Sequence, residues 1–447
     1  MEYKHIYNGG GVYLKDQEVR MGTVIRDDRP ERGILVGVEI SQGKIIDGMS
    51  ESERSIEELE ELAKTAGVEV IGKMLQKKQS FDPATYIGRG KLDELKEMCS
   101  SVEANLVIFD NELTGAQMRN IENKLEVKVV DRTMLILDIF AQRAQSSEGK
   151  LQVELAQLKY RLPRLIGLGT ELSRLGGGIG TRGPGEAKLE MDRRHIRRRI
   201  KYLEDELKEV NKRRGIIRSG RRRNDLPIIT LVGYTNAGKS SLMNCLCDSE
   251  VFVEDKLFAT LDPTTRKMVL DEEQTILLVD TVGFVRKLPH ELIKAFKSTL
   301  EEAVYADVLL HVVDASSEEY EEHIEVAERL LEGLGVFGKP MITVLNKIDL
   351  LPPGMRATLK GARKNVVEVS AKTGEGISKL TEKVLSIIKT SEVDMDLLIP
   401  FDKGNIVSFV HENASILNEE YVPEGVIIKA RIPKNKVASL SEYETSV

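Results

Sequence analysis

The chain has no apolar run near the ~18 residues that a membrane-spanning helix needs, and Met1-Glu-Tyr-Lys-His5 carries no hydrophobic signal segment. Its three cysteines, Cys99, Cys245 and Cys247, make no even set, so a disulfide framework is excluded. Cys245 and Cys247 are two apart in a helical stretch and read as packing residues rather than metal ligands. The expected compartment is the reducing cytoplasm, with peripheral attachment to a membrane as the alternative. What is present suits a globular protein: 31% charged and 41% hydrophobic residues, enough apolar side chains for a sizeable core. At 447 residues the chain has room for roughly three domains. Its net charge of −7 is unevenly spread. Ala187–Arg223 holds fifteen Lys/Arg against six Asp/Glu, a local +9, which leaves the rest near −16. One basic segment in an acidic chain points to a polyanion contact, the alternative being a solvated helix face.

Residues 1–30 show no pattern. From 32 to 130, strand-like runs (Gly33–Ile40, Val68–Leu75, Leu106–Phe109, Val127–Val130) alternate with helical ones (Ser55–Thr65, Ala116–Lys124). A small α/β domain over 1–130 follows. Gly88-Arg-Gly-Lys91 inside it could touch phosphate but reads better as the turn before a helix over Lys91–Met98.

Residues 131–222 differ. Leu151, Leu155, Leu158 and Leu162 form one narrow apolar seam, and Ile196, Ile200, Leu203, Leu207 and Val210 form another. Pro163 should end the first helix. The second should run from Glu186 to Arg214, roughly 43 Å at 1.5 Å per residue, before a basic linker at Arg221–Asn224. Two seams joined by one loop predict an antiparallel helical hairpin. The tip has six glycines in the ten residues Gly176–Gly185. A connector needs only a few residues, so a long glycine-rich tip with Arg174 and Arg182 suggests entry into a narrow anionic place. RNA contact is therefore expected from Arg174, Gly176, Gly177, Gly178, Arg182 and Gly183, with Arg193 and Arg197 on the basic helix face.

Leu226–Ser240 organises the rest. A β-branched run ends at Gly233, and Gly238, Lys239 and Ser240 follow, giving G-x-x-x-x-G-K-S. Glycines let backbone N–H groups ring a phosphate, and the helix that starts at Lys239 points its positive end at the same anion. Gly233, Asn236, Ala237, Gly238, Lys239, Ser240 and Ser241 are the candidate phosphate residues. Lys239 is placed for the β- and γ-phosphates and Ser240 for Mg²⁺. Further signals follow in order. The polar loop Ala259-Thr260-Leu-Asp262-Pro-Thr264-Thr265 is a candidate switch, with Thr264 or Thr265 as a Mg²⁺ ligand. Asp280-Thr-Val-Gly283 ends an apolar strand; Asp280 would hold the Mg²⁺ shell and Gly283 would sense the γ-phosphate. Asn346-Lys347-Ile-Asp349 places a carboxylate where guanine N1–H and its amine can both donate, which adenine cannot match. Ser370-Ala371-Lys372 brings the Ala371 N–H towards guanine O6. Strands at 228–232, 275–279, 308–313, 341–345 and 366–369 alternate with helices, so 226–390 reads as a P-loop domain, a parallel sheet covered on both faces. These signals, each at a strand's C-terminal end, assign GTP. Phe284 replaces the glutamine that many GTPases carry after the D-x-x-G glycine to orient water. Residues 396–447 form a small C-terminal α/β domain, with a strand at Val426–Ile432 and a helix or strand at Asn405–Glu412.

From about residue 32 onward the chain resembles the HflX family of translational GTPases. The strings that carry this are Asp82–Lys91, Gly149–Lys159, Leu175–Glu186 and Gly233–Ser240. The resemblance implies a monomer that binds GTP and GDP, acts on the 50S ribosomal subunit, and reaches 23S rRNA at the peptidyl-transferase centre with the hairpin tip. It implies splitting of stalled or idle ribosomes under stress, and ATP binding by the N-terminal domain. In related GTPases an Asn at the place of Asn236 helps hold K⁺. The rivals are a ribosome-assembly or RNA-modification GTPase, and a GTP-regulated switch acting on proteins alone.

Overall fold

A computed structural model describes residues 30–40, 49–165, 184–223, 226–247, 257–258, 261–270, 274–287, 302–336, 338–352, 365–390, 392–433, 437 and 439–445. They fall into two compact units. One holds the described residues of 1–142 and 156–196, the other 143–155 and 197–447.

In the first unit, β1 (Arg32–Ile40), β2 (Glu69–Lys78), β3 (Leu106–Phe109) and β4 (Lys128–Asp131) form a four-stranded parallel sheet in the order β2-β1-β3-β4. Helices α1 (Glu51–Thr65), α2 (Arg89–Ser101), α3 (Gly115–Leu125) and α4 (Arg132–Arg143) pack with it. The predicted α1 stripe, Ile56, Leu59, Leu62 and Ala63, is buried. The helix starts one turn earlier than its apolar pattern because Ser50 and Glu53 form a capping box. Gly88 is the N-cap of α2, and its N–H donates to Gln76, so the Gly-Arg-Gly-Lys string is a helix start. Helix α4 lies in the stretch assigned to the hairpin, yet it buries Leu135, Ile136, Ile139 and Phe140 within this first unit. Apolar nearly all round, it shows little helical periodicity to read. Its Arg132, 1% exposed, donates twice to Asp110 and once each to Glu58 and the Ser55 carbonyl. Burying a guanidinium is tolerable only with its hydrogen bonds met in this way.

Helix α5 (Ser147–Arg164) and helix α6 (Pro184–Arg223) carry the two seams. Leu155, Leu158 and Leu203 are buried, and Arg199 grips Glu154 with two hydrogen bonds of 2.7 and 2.8 Å. Pro163 sits in the last turn of α5. At 40 residues, α6 outruns the expected Arg214 end and absorbs the supposed linker. Gly215 and Gly220 cost about 1 kcal/mol each, but unlike proline they break no helix hydrogen bond. Pro184 stands at the first helical position, where its missing N–H has no partner to lose. The tip residues expected to contact RNA, Arg174, Gly176, Gly177, Gly178, Arg182 and Gly183, lie outside the described residues. Arg197 is exposed on α6 and Arg193 is half-buried.

The second unit contains a six-stranded sheet. It comprises β5 (Ile228–Gly233), β6 (Thr264–Val269), β7 (Thr275–Asp280), β8 (Val308–Asp314), β9 (Met341–Asn346) and β10 (Val366–Glu368) in the order β10-β9-β8-β5-β7-β6. Helices α7 (Lys239–Cys247), α8 (Tyr320–Gly333) and α9 (Ile377–Thr390) alternate with its strands, as the sequence pattern predicts. The sheet is parallel except at one edge, where β6 runs antiparallel to β7. The polar loop expected through Thr265 thus overlaps the start of this strand, whose sequence shows no apolar run because Arg266 and Lys267 face water and only Met268 is buried. Ile229, Leu231, Leu278, Leu310, Val312, Ile342 and Val344 fill the core, each worth roughly 1.5–3 kcal/mol. Cys247 packs against that core, and Cys245 is half-buried.

At the C-terminus, β11 (Glu392–Ile399), β12 (Ser415–Val422) and β13 (Gly425–Pro433) make an antiparallel sheet in the order β11-β13-β12, packed on α10 (Gly404–Asn413). The C-terminal fold therefore begins at Glu392 rather than 396. No described helix is long and apolar enough to cross a membrane.

Candidate guanine-nucleotide site

The C-terminal ends of β5, β7 and β9 bring the separated motifs together. Gly233 ends β5 at φ +147°, and a Cβ there would lie 2.1 Å from the Val312 carbonyl oxygen, so no other residue fits. Asn236 is exposed and left-handed, at φ +60°. Gly238, at φ +89°, leaves room for the Asn346 amide, which a Cβ would meet at 2.3 Å. Helix α7 then starts, and Leu242 N–H donates to the Gly238 carbonyl. Ser241 is half-buried in its first turn.

Lys239 lies under this loop, 7% exposed, and its ammonium donates to the carbonyls of Tyr234 (2.8 Å) and Gly233 (3.2 Å). Burial lowers its pKa to about 8, with Asp280 acting in the opposite direction. Ser240 Oγ donates to Asp280 Oδ2 at 2.6 Å, and Asp280 is 1% exposed. A hydroxyl and a carboxylate in contact form a hard-oxygen donor set that fits Mg²⁺. Thr281 Oγ1 donates to the Leu231 carbonyl and fixes the strand end beside them.

The D-x-x-G segment lies against the phosphate loop. A Cβ on Gly283 would meet Thr235 Cα at 2.8 Å and Lys239 Nζ at 2.9 Å. Phe284, 1% exposed, packs inward with Tyr234, Ala303, Ala306 and Leu331. Its N–H donates to the Gly233 carbonyl (3.0 Å), and its carbonyl accepts from Thr235 N–H (2.8 Å). The anchor continues into α8: Arg286 pairs with Glu319 and Glu322, and His323 stacks on Tyr234 at 4.0 Å. Burial, and then the Arg286 charge, lower the His323 pKa to about 4, so it is neutral at pH 7. No sequence motif announces this packing; only the fold supplies it.

Thr264 and Thr265 begin β6 rather than standing in a free loop, and Thr264 is in register with Asp280. Thr264 is half-buried and Thr265 exposed. The Asp262 carboxylate is held by backbone N–H groups just before α5. Ala259 and Thr260 lie outside the described residues.

The base-reading motifs meet at the ends of β9 and β10. Ser370 Oγ donates to Asp349 Oδ1 (2.7 Å) and aims the carboxylate. Asn346 does not face outward: its amide donates to the Ala237 carbonyl (2.9 Å) and its oxygen accepts from Ala371 N–H (3.0 Å). It stitches the phosphate loop to the base loop, and the Ala371 N–H expected at guanine O6 is engaged by Asn346. Lys347, left-handed at φ +65°, pairs with Asp314 at 2.7 Å. Asp314 went unnoticed in the sequence, although it ends β8 as Asp280 ends β7. Lys372 is exposed.

Four family models match in succession: "GTP-binding GTPase N-terminal" over 53–141, "GTP-binding GTPase Middle Region" over 143–221, "50S ribosome-binding GTPase" over 228–347, and "HflX C-terminal domain" over 357–442. A GTPase HflX of Caldanaerobacter subterraneus subsp. tengcongensis is 51% identical over 403 residues, 90% of this chain and 91% of the relative. The GTPase HflX of Escherichia coli K12 is 40% identical over 412 residues, 91% and 95% of the two chains. Among solved structures, a GTP-binding protein of Sulfolobus solfataricus in complex with GDP is 28% identical, covering 80% of this chain and 99% of that one, with a TM-score of 0.42.

Proposed function

The chain belongs to the HflX family of GTPases, and from that premise we propose that it uses GTP to bind the 50S ribosomal subunit and separate stalled or idle ribosomes. It is a GTP hydrolase. The observation that carries the ribosomal reading is the joining, in one chain, of a guanine-nucleotide site to a 40-residue helix rich in arginine. The family model that matches residues 228–347, described as a 50S ribosome-binding GTPase, supports the same partner.

Each residue then has a task. Lys239 exchanges its two loop carbonyls for β- and γ-phosphate oxygens, and the N–H groups of 236–241 ring the phosphates. Ser240, Asp280 and a threonine of the Thr264–Thr265 pair would hold Mg²⁺, which would supply positive charge against the charge that develops on the phosphates. Gly283 N–H reports the γ-phosphate. Asp349, aimed by Ser370, accepts from guanine N1–H and its amine, Lys347 lines the base, and Asn346 keeps the two loops in register. Asn236 holds K⁺ beside the phosphates, a reading refuted by equal hydrolysis rates in K⁺ and Na⁺.

The Phe284 side chain, buried and without a polar atom, orients no water. The free protein therefore hydrolyses GTP slowly, and docking on the 50S subunit completes the site, so that hydrolysis times release. The test is subunit sedimentation after adding the protein and a non-hydrolysable GTP analogue to 70S particles. Separation into 30S and 50S supports the proposal. Binding to free 50S without separation would favour an assembly role, and no ribosome binding would favour a protein-only switch. Replacing 176–185 by a short loop should abolish separation and leave nucleotide affinity intact.

A further inference from the structure

Asp262 belongs to the switch segment yet spends its carboxylate outside the nucleotide site. Oδ2 accepts from the N–H groups of Ser146 (2.8 Å) and Gln145 (3.1 Å), and Oδ1 accepts from Ser146 Oγ. Ser146 is the residue before α5, and its own hydroxyl oxygen accepts from Gly149 N–H at 2.9 Å. Asp262 and Ser146 thus form a two-layer cap on α5, carboxylate on hydroxyl on helix N–H, at the positive end of the helix dipole.

Gly149 belongs to this arrangement. A Cβ at that position would lie 2.6 Å from Asp262 Oδ1 and 3.0 Å from Ser146 Oγ. Glycine is otherwise a poor residue for a first helical turn, and nothing in the nucleotide site calls for it. Its absent side chain is the space the carboxylate occupies.

On its other side Asp262 is tied to the metal-binding edge. Only Pro263 separates it from Thr264, and Thr264 is in register with Asp280, which accepts from Ser240. Two residues span at most about 7 Å, and proline restricts both its own φ and the residue before it. Slack between the threonine pair and the α5 cap is therefore small.

We propose that Asp262 is a latch through which the nucleotide state is transmitted to helix α5. Reordering of the switch segment around bound nucleotide would shift Asp262 and change its grip on the start of α5. By linkage, a partner that holds α5 in one position changes the relative affinities for GTP and GDP. The latch rests on the reading of the site as a GTP switch.

Hydrogen exchange of the Gln145 and Ser146 amides tests this, in the full-length chain with GDP and with a non-hydrolysable GTP analogue, alongside direct titration of both nucleotides. The wild-type amides should exchange at rates that differ about fivefold or more between the two states, the size expected for one capping interaction made or lost. Asp262→Ala removes the carboxylate, and Gly149→Ala fills its space while favouring helix. Both variants should bind nucleotide and lose the difference. Equal exchange in both states of the wild type, or a difference that persists in both variants, overturns the latch alone. A wild-type chain that binds neither nucleotide overturns the switch reading and the latch with it.

Discussion

Nucleotide binding should draw a proton onto Lys239. The ammonium is 7% exposed, and burial lowers its pKa from 10.5 to about 8. That lowering corresponds to about 3 kcal/mol against the charged form. Well below pH 8 the residue is protonated whether the chain is folded or unfolded, and the fold bears the full cost. As pH rises from about 8 to 10.5 the folded chain loses the proton first. The unfolded chain then binds more protons, so this residue makes the nucleotide-free fold more stable over that interval. A polyphosphate beside the ammonium favours the charged form and keeps it protonated. At pH 8 about half of the free chains carry a neutral Lys239, so binding takes up about half a proton, and affinity near pH 8.5 falls about fourfold from its value near pH 7. The assay is titration calorimetry with GDP in buffers of different ionisation enthalpy. Identical heats in all buffers at pH 8, with unchanged affinity at pH 8.5, would refute the argument.

Asp349→Asn should weaken GTP binding by about a hundredfold and improve XTP binding, because the new amide donates to the oxygen that xanthine carries in place of the guanine amine; competition between GTP and XTP reads this directly. Asn346→Ala leaves the Ala237 carbonyl and the Ala371 N–H without their present partner. It should cost about 2–4 kcal/mol in denaturant unfolding and weaken GDP binding, and an unchanged midpoint would show that the two loops are held by something else. Arg132→Ala leaves Asp110 buried beside Ser55. It should destabilise the first unit by about 3–5 kcal/mol while GDP affinity is retained, and a matching loss of GDP affinity would mean that the two units do not unfold separately.

Much of the nucleotide site was legible because its chemistry is local in sequence. Gly233 through Ser240 is one strand, one turn and one helix start, and Gly is required wherever backbone meets phosphate or a neighbouring strand. Asp280 and Asp349 followed from the rule that sites gather at strand C-terminal ends. The base specificity proposed for Asp349 rests on the guanine edge offering two donors to one carboxylate. Helices α7, α8 and α9 were legible from apolar spacing. Helix α4 and strand β6 were not: the first is apolar almost all round, and the second buries a single side chain along its exposed edge.

What the sequence determined by itself was therefore residue type and local geometry: a glycine-rich loop between strand and helix, a carboxylate after a strand end, two helical seams and a basic arm. What only the tertiary structure decided was which groups spend their hydrogen bonds on one another. Asn346 turns inward to join Ala237, 109 residues before it, to Ala371, 25 residues after it, and Phe284 packs into one core cluster with Tyr234. Asp262 reaches back 116 residues to Ser146, where a glycine leaves it room. Such pairings depend on distances across the fold that no periodicity encodes, since a buried donor or acceptor must find whichever partner the packed chain happens to bring within reach.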